Sequence, residues 1–308
     1  MDFSEYTLVS LGDSFTFGQD IIPDPIQRPT ETTQMFNKRW KDGCNKRSFT
    51  ARVTKSLGFK YSINFGIMGG CNQNSIELLD TFLRRNPGMK IFVLFNFTSS
   101  GRMMNFFQLP GQKVYHKRNV VPHHAVEVDT LKNYGISSKD VADYYTLWNN
   151  SIQEVYNHIE NRRSVLNLLT AYNVPYISFD IANGMDYQIN RDNPLRYVGP
   201  KHQYSIDGHF FDDLYDDDRF NFPEFDYVKS YIDNVINEVP PLSNHITMRD
   251  MYGSCNLIEW LASKGIVDAN DKDHYYAKYG KGTGSHWTSQ GHVMITELMV
   301  KKINERYN

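Results

Sequence analysis

The stretch LGDSFTFG, residues 11–18, places a serine directly behind a short apolar run at residues 6–11. Near the other end, GSHWTSQGH places His286 just before a run that reads as an amphipathic helix. Serine alone is a poor nucleophile and needs a base within hydrogen-bond reach. Imidazole is the commonest such base. Ser14 and His286 are therefore the two side chains whose types could carry acyl transfer, the hydroxyl attacking and the ring taking its proton.

Such a pair works only if the fold brings both ends of the chain together. Residues 6–11 read as a first strand and YSINFG as a second, each followed by a glycine-bearing turn. MKIFVLFNF, residues 89–97, is continuously apolar, as expected for a strand covered on both faces in a parallel sheet. VPYISFD, residues 174–180, reads as a fourth strand. Between them, RSFTARVTKSLGF has apolar residues at helical spacing and ends at Gly58, a C-cap. SIELLDTFLRR continues as a helix until Pro87-Gly88 breaks it. A long helix is predicted over residues 138–172, shorter ones near 227–238 and 257–264, and a last one from SQGHVMITELMVKKINERY.

Strands alternating with helices predict an α/β fold with a parallel sheet. Residues 103–138 show no clear period, and the stretch 181–250 opens on an irregular, Asp- and aromatic-rich part that runs to about residue 225. Both are expected as irregular insertions on one domain spanning residues 1–308. An open parallel sheet puts its chemistry at the carboxyl ends of its strands. Three such ends carry unusual residues: Ser14 after the first strand, Gly69 after the second, and NFTSSGR, residues 96–102, after the third.

In this order, GDSFTFG, INFGIMGG and HWTSQGH resemble the first, second and last conserved blocks of the SGNH (GDSL-type) hydrolase superfamily. The resemblance runs from end to end of the chain, with the two insertions outside it, and implies a flavodoxin-like three-layer α/β/α fold. It implies Ser14 as nucleophile, His286 as general base, and the N–H groups of Ser14 and Gly69 as donors to a tetrahedral oxyanion. Losing one such donor typically costs about 3 kcal/mol. No metal and no organic cofactor are implied. The expected activity is a serine esterase that removes a short acyl group, most simply acetyl, from a carbohydrate or other polar carrier through an acyl-enzyme. Transfer of the acyl group to an acceptor hydroxyl is the alternative within enzymes. An inactive module that binds a glycan or protein is the alternative outside them.

Two positions depart from the family pattern. Its third block normally presents a Gly-x-Asn-Asp whose Asn side chain completes the oxyanion hole, whereas this chain reads FNFTSSGR. Anchored on Arg102, that position falls on Thr98. Asn96 lies two residues earlier and, on a strand, faces the same side. Both remain candidates, and Arg102 could hold a charged substrate or brace the loop. The triad acid normally precedes the His by two or three residues, but Gly284 and Thr283 stand there. A backbone carbonyl, Asp273 or Asp271 could orient His286 instead. Trp287 could line the pocket, Asp13 is expected to brace the turn, and His292 is assigned no chemistry.

Composition narrows the alternatives. The 308 residues carry a net charge of −2, so a nucleic-acid partner is not expected. No apolar stretch is long enough to span a membrane. The opening MDFSEYTLVSLGDS does not read as a signal peptide, which makes the cytoplasm the expected location. The insertions resemble those of phage-borne relatives. Cys44, Cys71 and Cys255 are scattered and odd in number, as for reduced thiols. FDDLYDDDRF lacks the glycine and the terminal Glu of an EF-hand loop. HKRNVVPHH reads as a solvated part of the first insertion.

Overall fold

The computed structural model describes residues 1–18, 21, 28, 30–98, 103–108, 115–120, 151–180, 244–246 and 289–308. Within them, β1 (Thr7–Gly12) and β3 (Ile91–Phe97) are buried along their whole lengths. That is what continuous apolar runs require of central parallel strands. β2 (Tyr61–Gly66) pairs with β1, placing Leu11 opposite Phe65. β6 (Tyr176–Asp180) pairs with β3, and the two-residue β7 (His245–Ile246) pairs with β6. All these pairings are parallel.

The sheet order is β2-β1-β3-β6-β7. Counted along the chain this is 2-1-3-4-5, a doubly wound order whose direction reverses between the first and third strands. Alternation of side chains along β1 sends Leu8 to one face and Val9 and Leu11 to the other. On the first face lie Phe49 and Val53 of α3 (Phe49–Leu57) and Ile295, Met299 and Ile303 of α6 (Ser289–Tyr307). On the second lie Leu79 and Leu83 of α4 (Asn72–Arg85) and Val165 and Leu169 of α5 (Ser151–Ala171). The protein is a three-layer α/β/α structure with a parallel sheet.

The predicted strands at β1, β2, β3 and β6 are all present, and α3 stops at Gly58, whose φ is +72°. α4 starts three residues before the predicted helix, because Asn74 Oδ1 accepts from the backbone N–H of Cys71, its N-cap. Residues 103–108 and 115–120, read as lacking a period, pair as an antiparallel hairpin, β4 (Met103–Gln108) with β5 (Tyr115–Val120). His245 and Ile246, inside the stretch expected to be irregular, close one edge of the main sheet. The predicted helices near 227–238 and 257–264, and residues 138–150 of the long one, lie outside the described residues.

No element was predicted over residues 19–46, where α2 (Thr33–Arg47) stands. Its apolar stripe is Phe36, Trp40 and Cys44, each four residues from the next, and it packs on Phe17 of the short α1 (Ser14–Phe17). Just before α2, both Glu31 carboxylate oxygens accept from the Arg39 guanidinium at 2.8 Å. That bidentate bond lowers the Glu31 carboxyl from its ordinary 4.5 to about 2. Since the folded value is the depressed one, the pair stabilises the fold above about pH 4.5, and the contribution is lost as pH falls towards 2. Glu31→Gln is therefore expected to lower the urea midpoint at pH 7, and the gap from the native protein should close by pH 2. A gap that persists unchanged in acid would assign the effect to something other than the carboxylate.

His292 is fully buried in α6. Its Nδ1 accepts the N–H of Phe49 at 3.2 Å, and its ring stacks on that of Phe49. A first-turn N–H has no acceptor within its own helix, so this histidine finishes the start of α3. His292→Leu keeps the volume but strands that donor. It should cost about 2 kcal/mol in chemical denaturation. No helix among the described residues is long and apolar enough to cross a membrane.

Candidate active site

β1 delivers the chain into the site through Gly12, whose φ is +152°. A Cβ there would lie 2.4 Å from Thr16 Oγ1 and 2.7 Å from Asn96 Cβ, so only glycine fits. Asp13 follows as N-cap of α1, its Oδ1 accepting the Phe15 N–H at 3.1 Å. Aspartate is among the best residues for that task. Ser14 is then the first residue of a single helical turn, which Gly18 closes at φ +82°.

β2 clamps that turn from one side. Asn64 donates from Nδ2 to the Thr16 carbonyl at 2.8 Å and accepts the Gly66 N–H at 2.9 Å. Gly66 lies against the backbone of Phe17, where a Cβ would approach the amide nitrogen to 2.1 Å. The Asn64-Phe65-Gly66 half of the INFGIMGG block, an Asn-x-Gly spacing, thus fastens α1 to the sheet. In its second half, Gly70 N–H donates to the Ile67 carbonyl at 2.9 Å, closing a turn in which Gly69 has φ +63°. Among the described residues, no atom beyond the two chain neighbours lies within 4 Å of a Cβ built on Gly69, so the backbone conformation calls for glycine.

β3 holds the turn from the other side, through Asp13. Thr98 Oγ1 donates to Asp13 Oδ2 at 2.7 Å. Asn96 Nδ2 donates to Asp13 Oδ1 and to Thr16 Oγ1, both at 3.2 Å. Asp13 and Asn96 are each 1% exposed and Thr98 is 5% exposed, so these bonds form out of water. Thr98 is itself held by Asn72 at the start of α4. The Asn72 amide accepts the Thr98 N–H at 2.9 Å and donates to the Thr98 carbonyl at 3.0 Å. Asn96 in β3 and Thr98 just after it both meet the aspartate beside Ser14, on the same side as their spacing predicts.

The structure therefore brings Ser14, Asn96 and Thr98 together through Asp13. The turn bearing Gly69 adjoins them, because Ile67 N–H donates to the Gly12 carbonyl at 3.0 Å. Ser14 follows β1 and Thr98 follows β3, the two strands that flank the reversal of sheet order. Arg102, Asp271, Asp273, His286 and Trp287 lie outside the described residues. The supporting roles of Asn64 and Asn72 were not anticipated. The Asn-x-Gly spacing was the one signal that could have found the first; Asn72 had none. Among the described residues, no cluster of three His, Cys, Asp or Glu could hold a metal ion.

Fold and site together define a doubly wound α/β protein that carries a capped serine turn at the carboxyl edge of its sheet. No family model matches the chain, and no curated protein matches it. Among solved structures it is similar to Axe2, an acetylxylan esterase from Geobacillus stearothermophilus, at 11% identity over 98% of this chain and 96% of that one, with a TM-score of 0.40. It is also similar to the acetyl xylan esterase AlAXEase, at 11% identity over 96% of this chain and 99% of that one, with a TM-score of 0.38. A lipolytic protein of the G-D-S-L family from Desulfitobacterium hafniense is similar at 12% identity over 96% and 98%, with a TM-score of 0.33.

Proposed function

We propose that this chain is a serine esterase of the SGNH (GDSL) type, removing a short acyl group, most simply acetyl, from a carbohydrate or other polar carrier. The observation that carries the proposal is the seating of Ser14. It opens a one-turn helix at the carboxyl end of β1, capped by Asp13 and clamped by Asn64 and Gly66. A serine needed only for packing does not require three strand ends to converge on the turn that bears it.

In the proposed reaction the Ser14 hydroxyl adds to the ester carbonyl while His286 takes its proton. The negative oxygen rests on the backbone N–H groups of Ser14 and Gly69. His286 then gives the proton to the departing alcohol, leaving an acyl group on Ser14 Oγ. Water adds to that acyl-enzyme, again losing a proton to His286, and the acid departs with Ser14 regenerated. Asp273, Asp271 or a backbone carbonyl orients the imidazole, and Arg102 and Trp287 contact the carrier. These steps use only the chain's own groups and water.

The test is intact mass after treatment with a fluorophosphonate, for the native protein and for Ser14→Ala, followed by assay on a short-chain chromogenic ester. A single adduct on the native protein, lost in the variant and accompanied by ester turnover, is expected. An adduct without turnover until an acceptor alcohol is supplied would convert the reading to acyl transfer. A folded native protein that takes no adduct would overturn the enzyme reading in favour of a binding module.

A further inference from the structure

Asn96 and Thr98 both occupy the place from which a third oxyanion donor would come, yet the fold directs their protons elsewhere. A hydroxyl has one proton, and that of Thr98 goes to Asp13 Oδ2 at 2.7 Å. The Asn96 amide has two, directed at Asp13 Oδ1 and Thr16 Oγ1. The remaining polar atom of Asn96, Oδ1, is buried with no hydrogen-bond partner among the described residues and can only accept. Turning the amide over would set that oxygen against a carboxylate oxygen of Asp13, so the observed orientation is the favourable one. For either residue to serve a substrate, a buried carboxylate would have to give up a donor, and an uncompensated buried acceptor is costly. Asp13 in turn adjoins Ser14 and takes the next N–H along, that of Phe15.

We infer that Asn96 and Thr98 are positioning residues that act through Asp13, and that β3 supplies no side-chain donor to the oxyanion. The inference rests on the Ser14 reading above and specifies how its oxyanion site is built. Two backbone amides hold the negative oxygen, and the polar end of β3 keeps the peptide that carries the nucleophile in register with them.

A double-mutant cycle tests it, read as the rate of fluorophosphonate labelling and as ester kcat/KM. Thr98→Val removes the donor without changing shape. Asp13→Ser keeps an oxygen that can cap Phe15 but is too short to reach Thr98. Thr98→Val alone is expected to slow both rates about tenfold, the worth of one charge-assisted hydrogen bond. With Asp13→Ser already present it should slow them no further. Losses that multiply would show Thr98 acting on the substrate directly and overturn the inference. Should Asp13→Ser fail to fold by circular dichroism, Thr98→Val with Asn96→Ala makes a second cycle. Two residues acting through one carboxylate give a combined loss well below the product, while independent donors give the full product. Absence of labelling in the native protein would overturn the Ser14 reading and this inference with it, whereas native labelling with multiplying losses would overturn the inference alone.

Discussion

Ser14→Ala should lower ester turnover by about 10⁴-fold or more while leaving the melting transition nearly in place. Removing the nucleophile of a Ser-His enzyme typically costs that much, and what remains comes from the oxyanion donors and substrate binding. Stability should hold because the cap of α1 is Asp13 and not the serine. Alanine also favours a helical position more than serine does. The expected change in unfolding free energy is within about 1 kcal/mol, the range of substitutions that disturb neither core nor cap. The contrast makes the experiment decisive. A large kinetic loss on an intact fold assigns the chemistry to Ser14, whereas a loss below a hundredfold would place the nucleophile elsewhere.

Gly66→Ala is expected to do the opposite, damaging the fold and the site together. The added methyl would sit 2.1 Å from the Phe17 nitrogen and 2.6 Å from the Phe17 Cα and the Thr16 carbonyl carbon. These are backbone atoms of α1, and no rotamer change relieves the contact. Either β2 leaves its register against β1 or α1 moves outward. Inserted volume of this kind costs typically 1–3 kcal/mol and more when backbone must yield, so about 3 kcal/mol is expected by urea denaturation. Fluorophosphonate labelling should fall as well, even where the variant is fully folded, because the turn that moves is the one bearing Ser14. Labelling at the native rate in a destabilised variant would mean that β2 yields and α1 stays.

The two effects separate what could be read in the sequence from what could not. Strands β1 and β3, of six and seven residues, were legible because their largely apolar runs are long enough to show themselves. α3 was legible from helical spacing and Gly58. β7 was not, since two residues have no period and its place comes wholly from pairing with β6. α2 hid its stripe of Phe36, Trp40 and Cys44 among polar residues, and its apolar face becomes meaningful only once Phe17 is there to receive it. At the site, period-two alternation correctly set Asn96 and Thr98 on one side of β3. What lies on that side depends on where Asp13 arrives, a matter of tertiary geometry that no local pattern encodes. For the same reason Asn72 went unremarked, although it holds both backbone polar groups of Thr98.

The bonds that seat Asp13 span long stretches of chain: Asn96 is 83 residues away and Thr98 is 85. Closing loops of that length is paid in chain entropy before any contact repays it, which is why non-local pairings form slowly. A nascent chain that has emerged only through β2 already displays Gly-Asp-Ser and its clamp from Asn64, yet nothing holds the aspartate from the far side. Assembly of the seat around Ser14 must therefore coincide with docking of β3 on β1. Truncated or partly unfolded forms carry these residues with no seat for them, so on the proposed reading fluorophosphonate labelling of Ser14 is expected to report completed folding.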